Sequence, residues 1–332
     1  MKDQSALWCF SWVLTVGAAL LGSASAAVQA QESAQYPIRP VRLIVPFPPG
    51  GGTDIVGRLL AQRLGERLDQ NIIVDNRPGA ASTIGAAIAA RATPDGYTLL
   101  LVTASYAMSA TYYRDLPYQP VRDFVGVSLI ASGPLLFVVH PAVAATSIRE
   151  LIALAKSAPN TVRYASGGTG GINHLAGELF NAMAGTKLLH VPYKGAGPAL
   201  RALVAGEVQL MIATLGSSLP LVRSEKIRAL ALAGDRSFSA AADLPTISAA
   251  GLPGYSAENW YGMLAPKGTP IEVIRRLSGQ VAEALKTSEF SSQLERRGFV
   301  PLGSTPDVMD KHLSQEVTKW ARVIDASGAS AK

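Results

Sequence analysis

Apolar and polar positions divide this chain into repeated strand–turn–helix units. Residues 41–45 are branched and apolar, the pattern of a buried strand. A proline- and glycine-rich stretch, Pro46 to Gly52, stops it. Ile55, Leu59, Leu60, Leu64 and Leu68 then recur near the helical period, which predicts a helix with Thr53 as N-cap and Asp54 in its first turn. A short strand over 71–75, an Asn76-Arg77-Pro78-Gly79 turn and a small-residue helix over 80–92 follow. Pro94-Asp95-Gly96 turns the chain into an apolar strand at 97–103. This βαβαβ order predicts a parallel sheet with right-handed crossovers. Residues 103–105 therefore end a strand on the same edge as the first glycine loop, where open α/β sheets bind ligands.

The unit recurs. Residues 106–124 lack periodicity and read as loop and short helix. Residues 125–139 are apolar with a Gly133-Pro134 break, taken as the first crossing into a second lobe. Ser147 and Glu150 form a capping box. A strand at 162–165 enters Ser166-Gly167-Gly168-Thr169-Gly170-Gly171 and a helix carrying Ile172, Leu175, Leu179, Phe180 and Met183 on one face. A strand at 188–193 enters Lys194-Gly195-Ala196-Gly197, with Pro198 placed at N1 of the next helix. Strands at 208–213, stopping at Thr214, and at 227–233 follow, with a return crossing near 259–266. Helices are expected at 270–286, 288–297 and 306–323. The expected fold is α/β with two lobes, each a mostly parallel sheet flanked by helices, and a cleft between them. Residues 31–133 and 257–332 form one lobe and residues 134–256 the other.

Composition narrows the function. The chain has 332 residues, 48% hydrophobic and 16% charged, which suits a folded globular protein with a large core. The net charge of +6 is spread singly, without the basic stripe of a nucleic-acid binder. Lys2 followed by an apolar run from Leu7 to Leu21 and small residues to Ala30 reads as a secretory leader, residues 1–30, cut after Ala26 or Ala30. Cys9 is the single cysteine and lies inside that leader, so the exported chain is expected to hold no disulfide.

Each glycine loop before a helix is either a tight turn or an anion site with free N–H groups. None fits a P-loop, because no Gly-Lys-Ser/Thr follows, and none carries the dinucleotide fingerprint. His140, His174, His190 and His312 are dispersed, so no metal or other cofactor is expected. Ser166 and His174 make the one hydrolase candidate, without a Gly-x-Ser-x-Gly elbow. Lys194 either meets a carboxylate or is solvated, and Phe47 either covers a ligand or packs under its loop. Asp54 suits the helix dipole and would repel an anion. Trp260 and Tyr261 read as core or hinge packing.

The run Tyr36-Pro37, Arg39-Pro40-Val41-Arg42 and Val45 through Asp54 resembles the Bug family, the TctC-type periplasmic receptors of tripartite tricarboxylate transporters. So do Asp75 through Ala80, Pro94 through Leu100, His174 through Phe180, His190 through Gly195, and Leu264-Ala265-Pro266 with Gly268-Thr269-Pro270. The resemblance covers essentially the whole exported chain. It implies a monomeric, non-enzymatic receptor for a small organic carboxylate, working with membrane permease subunits or a signalling partner. It implies ligand contacts from Phe47, Gly51, Gly52, Thr53 and Asp54, from Thr103 and Ser105, from Ser166, Gly167 and Thr169, and from Tyr193, Lys194 and Gly195. Two positions depart from the family pattern. Ala213-Thr214 stand where an Asp-Asn pair is common, and Ser105-Tyr106-Ala107 where Thr-His-Ala is common. Both edge the cleft, with Thr214 as a further contact, and the missing acid argues against an amino-acid ligand.

Overall fold

The computed structural model describes residues 36–113, 115–234 and 237–327; the expected leader lies outside them. In chain order the first part comprises β1 (Val41–Val45), α1 (Gly52–Leu68), β2 (Ile72–Asn76), α2 (Thr83–Ala90), β3 (Thr98–Thr103), α3 (Ala104–Tyr112) and β4 (Phe124–Gly133). The middle comprises β5 (Leu135–Val139), α4 (Ile148–Ser157), β6 (Arg163–Ser166), α5 (Ile172–Ala184), β7 (Leu189–Pro192), α6 (Ala196–Val204), β8 (Leu210–Thr214), α7 (Leu215–Arg223) and β9 (Arg228–Leu232). The last part comprises β10 (Asn259–Pro266), α8 (Ile271–Lys286), α9 (Ser288–Arg296), β11 (Val300–Pro301) and α10 (Pro306–Ser327). No described helix is long and apolar enough to cross a membrane.

Two sheets result, in the orders β11-β4-β10-β3-β1-β2 and β7-β6-β8-β5-β9. Only Pro134 separates β4 in the first sheet from β5 in the second, and β10 returns to pair between β3 and β4. Each sheet is mixed, where mostly parallel sheets are expected. β1 is parallel to β2 and β3, and β6 to β7 and β8. The strands next to the crossings run against their neighbours: β10 against β3 and β4, and β5 against β8 and β9. A strand entering directly from the other sheet has no crossover helix to reverse it, so it pairs antiparallel.

Strand alternation sets the layers. Val41, Leu43 and Val45 join Leu99 and Leu101 in a core with Val56, Leu60 and Leu64 of α1 and Ile274, Leu277 and Val281 of α8. Ile44, Leu100 and Val102, one residue out of step, face the other way. They join a core that continues through Tyr106 of α3 and Trp320 of α10 to Phe137 and Phe180 of the second lobe. Burying each such side chain is worth about 1.5–3 kcal/mol.

Several helix starts differ from expectation. Gly51, not Thr53, caps α1, without a side-chain cap bond. Pro198 is the third residue of α6. The 80–92 helix starts at Thr83, because Ala80, Ala81 and Ser82 all have positive φ (43°, 49° and 90°). Helices α3 and α7 follow their strands with no intervening loop. Thr103 caps α3 by accepting from the Ser105 N–H at 3.3 Å, and Ser218 of α7 donates to the Thr214 carbonyl at 2.9 Å.

The first turn of α7 abuts the connection between α9 and β11. A Cβ at Gly216 would lie 2.0 Å from the Arg297 carbonyl oxygen, backbone against backbone. Gly216→Ala should therefore cost about 3 kcal/mol in chemical denaturation, at the upper end for overpacking. Parent-like stability would contradict this contact.

Candidate functional site

Five helices begin at one cleft. α1 and α3 start there from the first sheet, and α5, α6 and α7 from the second. The first-turn N–H groups of a helix lack intrahelical acceptors, and the helix dipole adds positive potential at that end. Between these ends lies a cavity of about 620 Å³.

The opening loop and α1 contribute Phe47, Gly51, Gly52 and Thr53 to the lining. Thr103 and Ser105 line it at the end of β3, Gly167 and Thr169 after β6, Tyr193, Lys194 and Gly195 after β7, and Thr214 at the end of β8. Two expected contacts do not line it. Asp54 is 4% exposed, and its carboxylate accepts from Gly50 N, Arg58 Nε and Asn76 Nδ2, each at 3.0 Å. Burial pushes its pKa up, but the bonds from Arg58, Gly50 and Asn76 outweigh it and hold the carboxyl below its usual value. Asp54 thus ties the glycine loop to β2 and leaves its charge neutralised.

Ser166 is fully buried under the second glycine loop. Its hydroxyl accepts from Gly168 N at 3.2 Å and lies 2.6 Å from His190 Nε2. His174 Nδ1 accepts from Gly170 N at 3.1 Å, and the two imidazoles stack with centroids 4.0 Å apart. The hydrolase pairing of Ser166 with His174 is thus absent. Both histidines instead brace the loop from behind, His174 at its backbone and His190 through the Ser166 hydroxyl. Desolvation lowers the His174 pKa to about 4, and desolvation with the neighbouring His174 lowers His190 to about 3.

The cavity also has walls that periodicity did not single out. Pro78 through Ser82 form one side, where a strained turn replaces the expected helix start. Gly171, Ile172 and Asn173 belong to the first turn of α5. Tyr261 and Asn259 of β10 form part of the floor. Asn259 Oδ1 accepts from Ala104 N at 3.3 Å and so helps cap α3. A polar Asn inside an otherwise apolar return strand was the one signal available for this. Trp260 points away and donates to the buried Glu316 at 2.9 Å.

The halves touch across the cavity. Ser105 Oγ in α3 accepts from Ile172 N in α5 at 2.9 Å, and the Tyr113 hydroxyl donates to the Thr169 carbonyl at 3.4 Å. Among the described lining residues none is acidic, and Lys194 carries the one formal charge. Apolar surface comes from Pro46, Phe47, Pro48, Ile172 and Ala196. No described group of three or more His, Cys, Asp or Glu side chains gathers to hold a metal ion.

Two mixed sheets joined by crossings, with helix N-termini lining the cavity between them, define a two-lobed periplasmic-type binding protein. Family comparison makes this specific: the model of the tripartite tricarboxylate transporter family receptor matches residues 56–329, and the chain belongs to that family. Protein BugT of Bordetella pertussis is 38% identical over 313 residues, covering 93% of this chain and 96% of BugT. The structure of Rpa4515 of R. palustris with adipate is 37% identical with a TM-score of 0.85, covering 88% of this chain and 98% of that one. MatC of Rhodopseudomonas palustris with bound malate is 30% identical with a TM-score of 0.83, covering 87% and 100%. The receptors of this family are periplasmic solute-binding proteins.

The histidine pair sets a pH dependence. Both are neutral when folded, while the unfolded chain protonates near pH 6.5. Below that pH the unfolded state takes up protons the folded state refuses, so stability falls as pH drops from about 6.5 toward 4 and is fully present above that window. His174→Asn retains an acceptor for Gly170 and removes one titration. Denaturation midpoints should then fall less steeply across that window. An unchanged slope would show that His174 does not titrate this way.

Proposed function

We propose that this chain is an exported receptor that binds a small organic carboxylate in the cavity and delivers it, chemically unchanged, to the membrane permease subunits of a tripartite transporter. The observation that carries this reading is the convergence of five helix N-termini on a cavity without an acidic side chain among its described lining residues. Such a site is short of negative charge, and a carboxylate supplies both the charge and up to four lone pairs for backbone N–H donors. The adipate and malate named for the two R. palustris relatives belong to the same chemical class. The ligand contacts we assign are the backbone groups of Gly51, Gly52 and Thr53 from one lobe and of Gly167 and Thr169 from the other. Phe47 covers the ligand's carbon chain. Lys194 attracts the anion at the mouth.

The lobes act as two bodies, residues 31–133 with 257–332 and residues 134–256, moving about the crossings at Pro134 and before β10. Closure removes water, which strengthens each hydrogen bond to the carboxylate. The permease then recognises the closed form. The receptor acts without a cofactor and without catalysis, since the hydroxyl of Ser166 is turned into the loop beneath the cavity.

Two experiments test this reading. Gly51→Asp replaces the N-cap of α1 with a residue that caps helices well, so the fold should hold. Its carboxylate would occupy the anion site, and affinity should fall at least about 100-fold, equivalent to about 2.7 kcal/mol. Retained affinity in titration calorimetry would refute the site. Separately, adipate should bind at least about 30-fold more tightly than 2-aminoadipate, because the ammonium would be buried without an acidic partner. Equal affinities would place an unrecognised acceptor in the cavity.

A further inference from the structure

Ser82 and Tyr261 are both buried, at 1% and 0% exposure; the Ser82 hydroxyl has no hydrogen-bond partner, and the Tyr261 hydroxyl has only the Asn259 side chain near it, outside ordinary hydrogen-bond geometry. Both residues line the cavity. Tyr118, Ser132 and His312 also hold unpaired buried atoms, but away from the cavity. A buried hydroxyl left unpaired costs stability, so two of them on residues that line one cavity call for an explanation.

The backbone around each is built to hold it there. Ser82 ends a run of four positive-φ residues: Gly79 at 134°, Ala80 at 43°, Ala81 at 49° and Ser82 at 90°. Left-handed conformations are unfavourable for L-residues with a Cβ, and such strain gathers at ligand clamps. A right-handed start to α2 would suit the two alanines better. The left-handed turn instead lays residues 78–82 along the cavity wall.

Tyr261 is fixed by different means. Its ring packs edge-on against Phe299, at 5.4 Å and 89°, and a Cβ at Gly133 would lie 2.7 Å from its Cε2. A Cβ at Gly52 would lie 2.6 Å from the Tyr261 hydroxyl and 3.4 Å from Thr214 Oγ1. The phenol therefore sits where the first turn of α1 meets the start of α7 from the opposite lobe. Gly52 has no side chain to displace it.

Resting on the receptor reading above, we infer that Tyr261 and Ser82 are specificity-determining ligand contacts. Tyr261 donates its hydroxyl proton to the ligand's carboxylate. Ser82 bonds a second oxygen function on the ligand's chain, a hydroxyl or a further carboxylate. The preferred ligand class is thus an oxygen-substituted carboxylate, in preference to a plain alkanoate.

Titration calorimetry with malate, succinate, adipate, butyrate and hexanoate, together with thermal unfolding of the empty protein, tests this. Tyr261→Phe should weaken the tightest acid of the panel at least about tenfold, while the empty protein unfolds at the same temperature or higher because an unpaired hydroxyl is gone. Ser82→Ala should weaken malate, succinate or adipate at least about fivefold and leave butyrate and hexanoate unchanged. Parent-like affinities in both variants overturn the inference and leave the receptor reading standing. Affinity lost only together with a lowered empty-protein unfolding temperature also overturns it, because that is a structural role. A parent protein that binds none of the five acids overturns both.

Discussion

The structure depends on an electrostatic imbalance: helix N-termini from two lobes meet across a cavity with no acidic side chain among its described lining residues. Like ends of dipoles repel, and their N–H groups need acceptors. The site's own hydroxyls satisfy part of this need. Thr103 caps α3, and Ser105 receives the Ile172 N–H across the cleft. Under the proposed function, the remaining deficit is what an anion would fill. Recognition and lobe closure would then share one cause, because an anion paired with one lobe's N–H groups also offsets repulsion from the other's.

Backbone recognition demands that loops rich in glycine hold still. Side chains that never reach the cavity do this. Asp54 ties Gly50 to β2 through Asn76 and is kept ionised by Arg58. Ser166 with His190, and His174 directly, hold Gly168 and Gly170. Keeping these charged and titratable groups behind the loops leaves the cavity itself free of negative charge. Neutral at ordinary pH, His174 accepts the hydrogen bond from the Gly170 N–H without adding positive charge under the loop.

Much of this was legible in the residues. Glycine loops at 50–52, 167–171 and 195–197 each follow an apolar strand and precede a helical pattern, so both the lobes and the anion site could be read. What the residues concealed was direction. Asp54 and Ser166 adjoin the cavity loops in sequence, yet their side chains turn away. No glycine or proline loop separates helices α3 and α7 from their strands, so Thr103 and Thr214 look like strand ends when they are also helix starts. The alanines at 80 and 81 have high helix propensity, and only tertiary packing makes the turn left-handed. Tyr261 reads as core because most aromatic residues in an apolar strand are core; its unpaired hydroxyl is visible only in three dimensions.

A crystal structure of the protein with the organic acid that copurifies with it would test the account most directly. The account predicts carboxylate oxygens about 2.7–3.2 Å from backbone N–H groups of residues 51–53 on one lobe and 167–169 on the other. An acid whose carboxylate instead contacts only side chains, or lies at the mouth away from both loops, would contradict it.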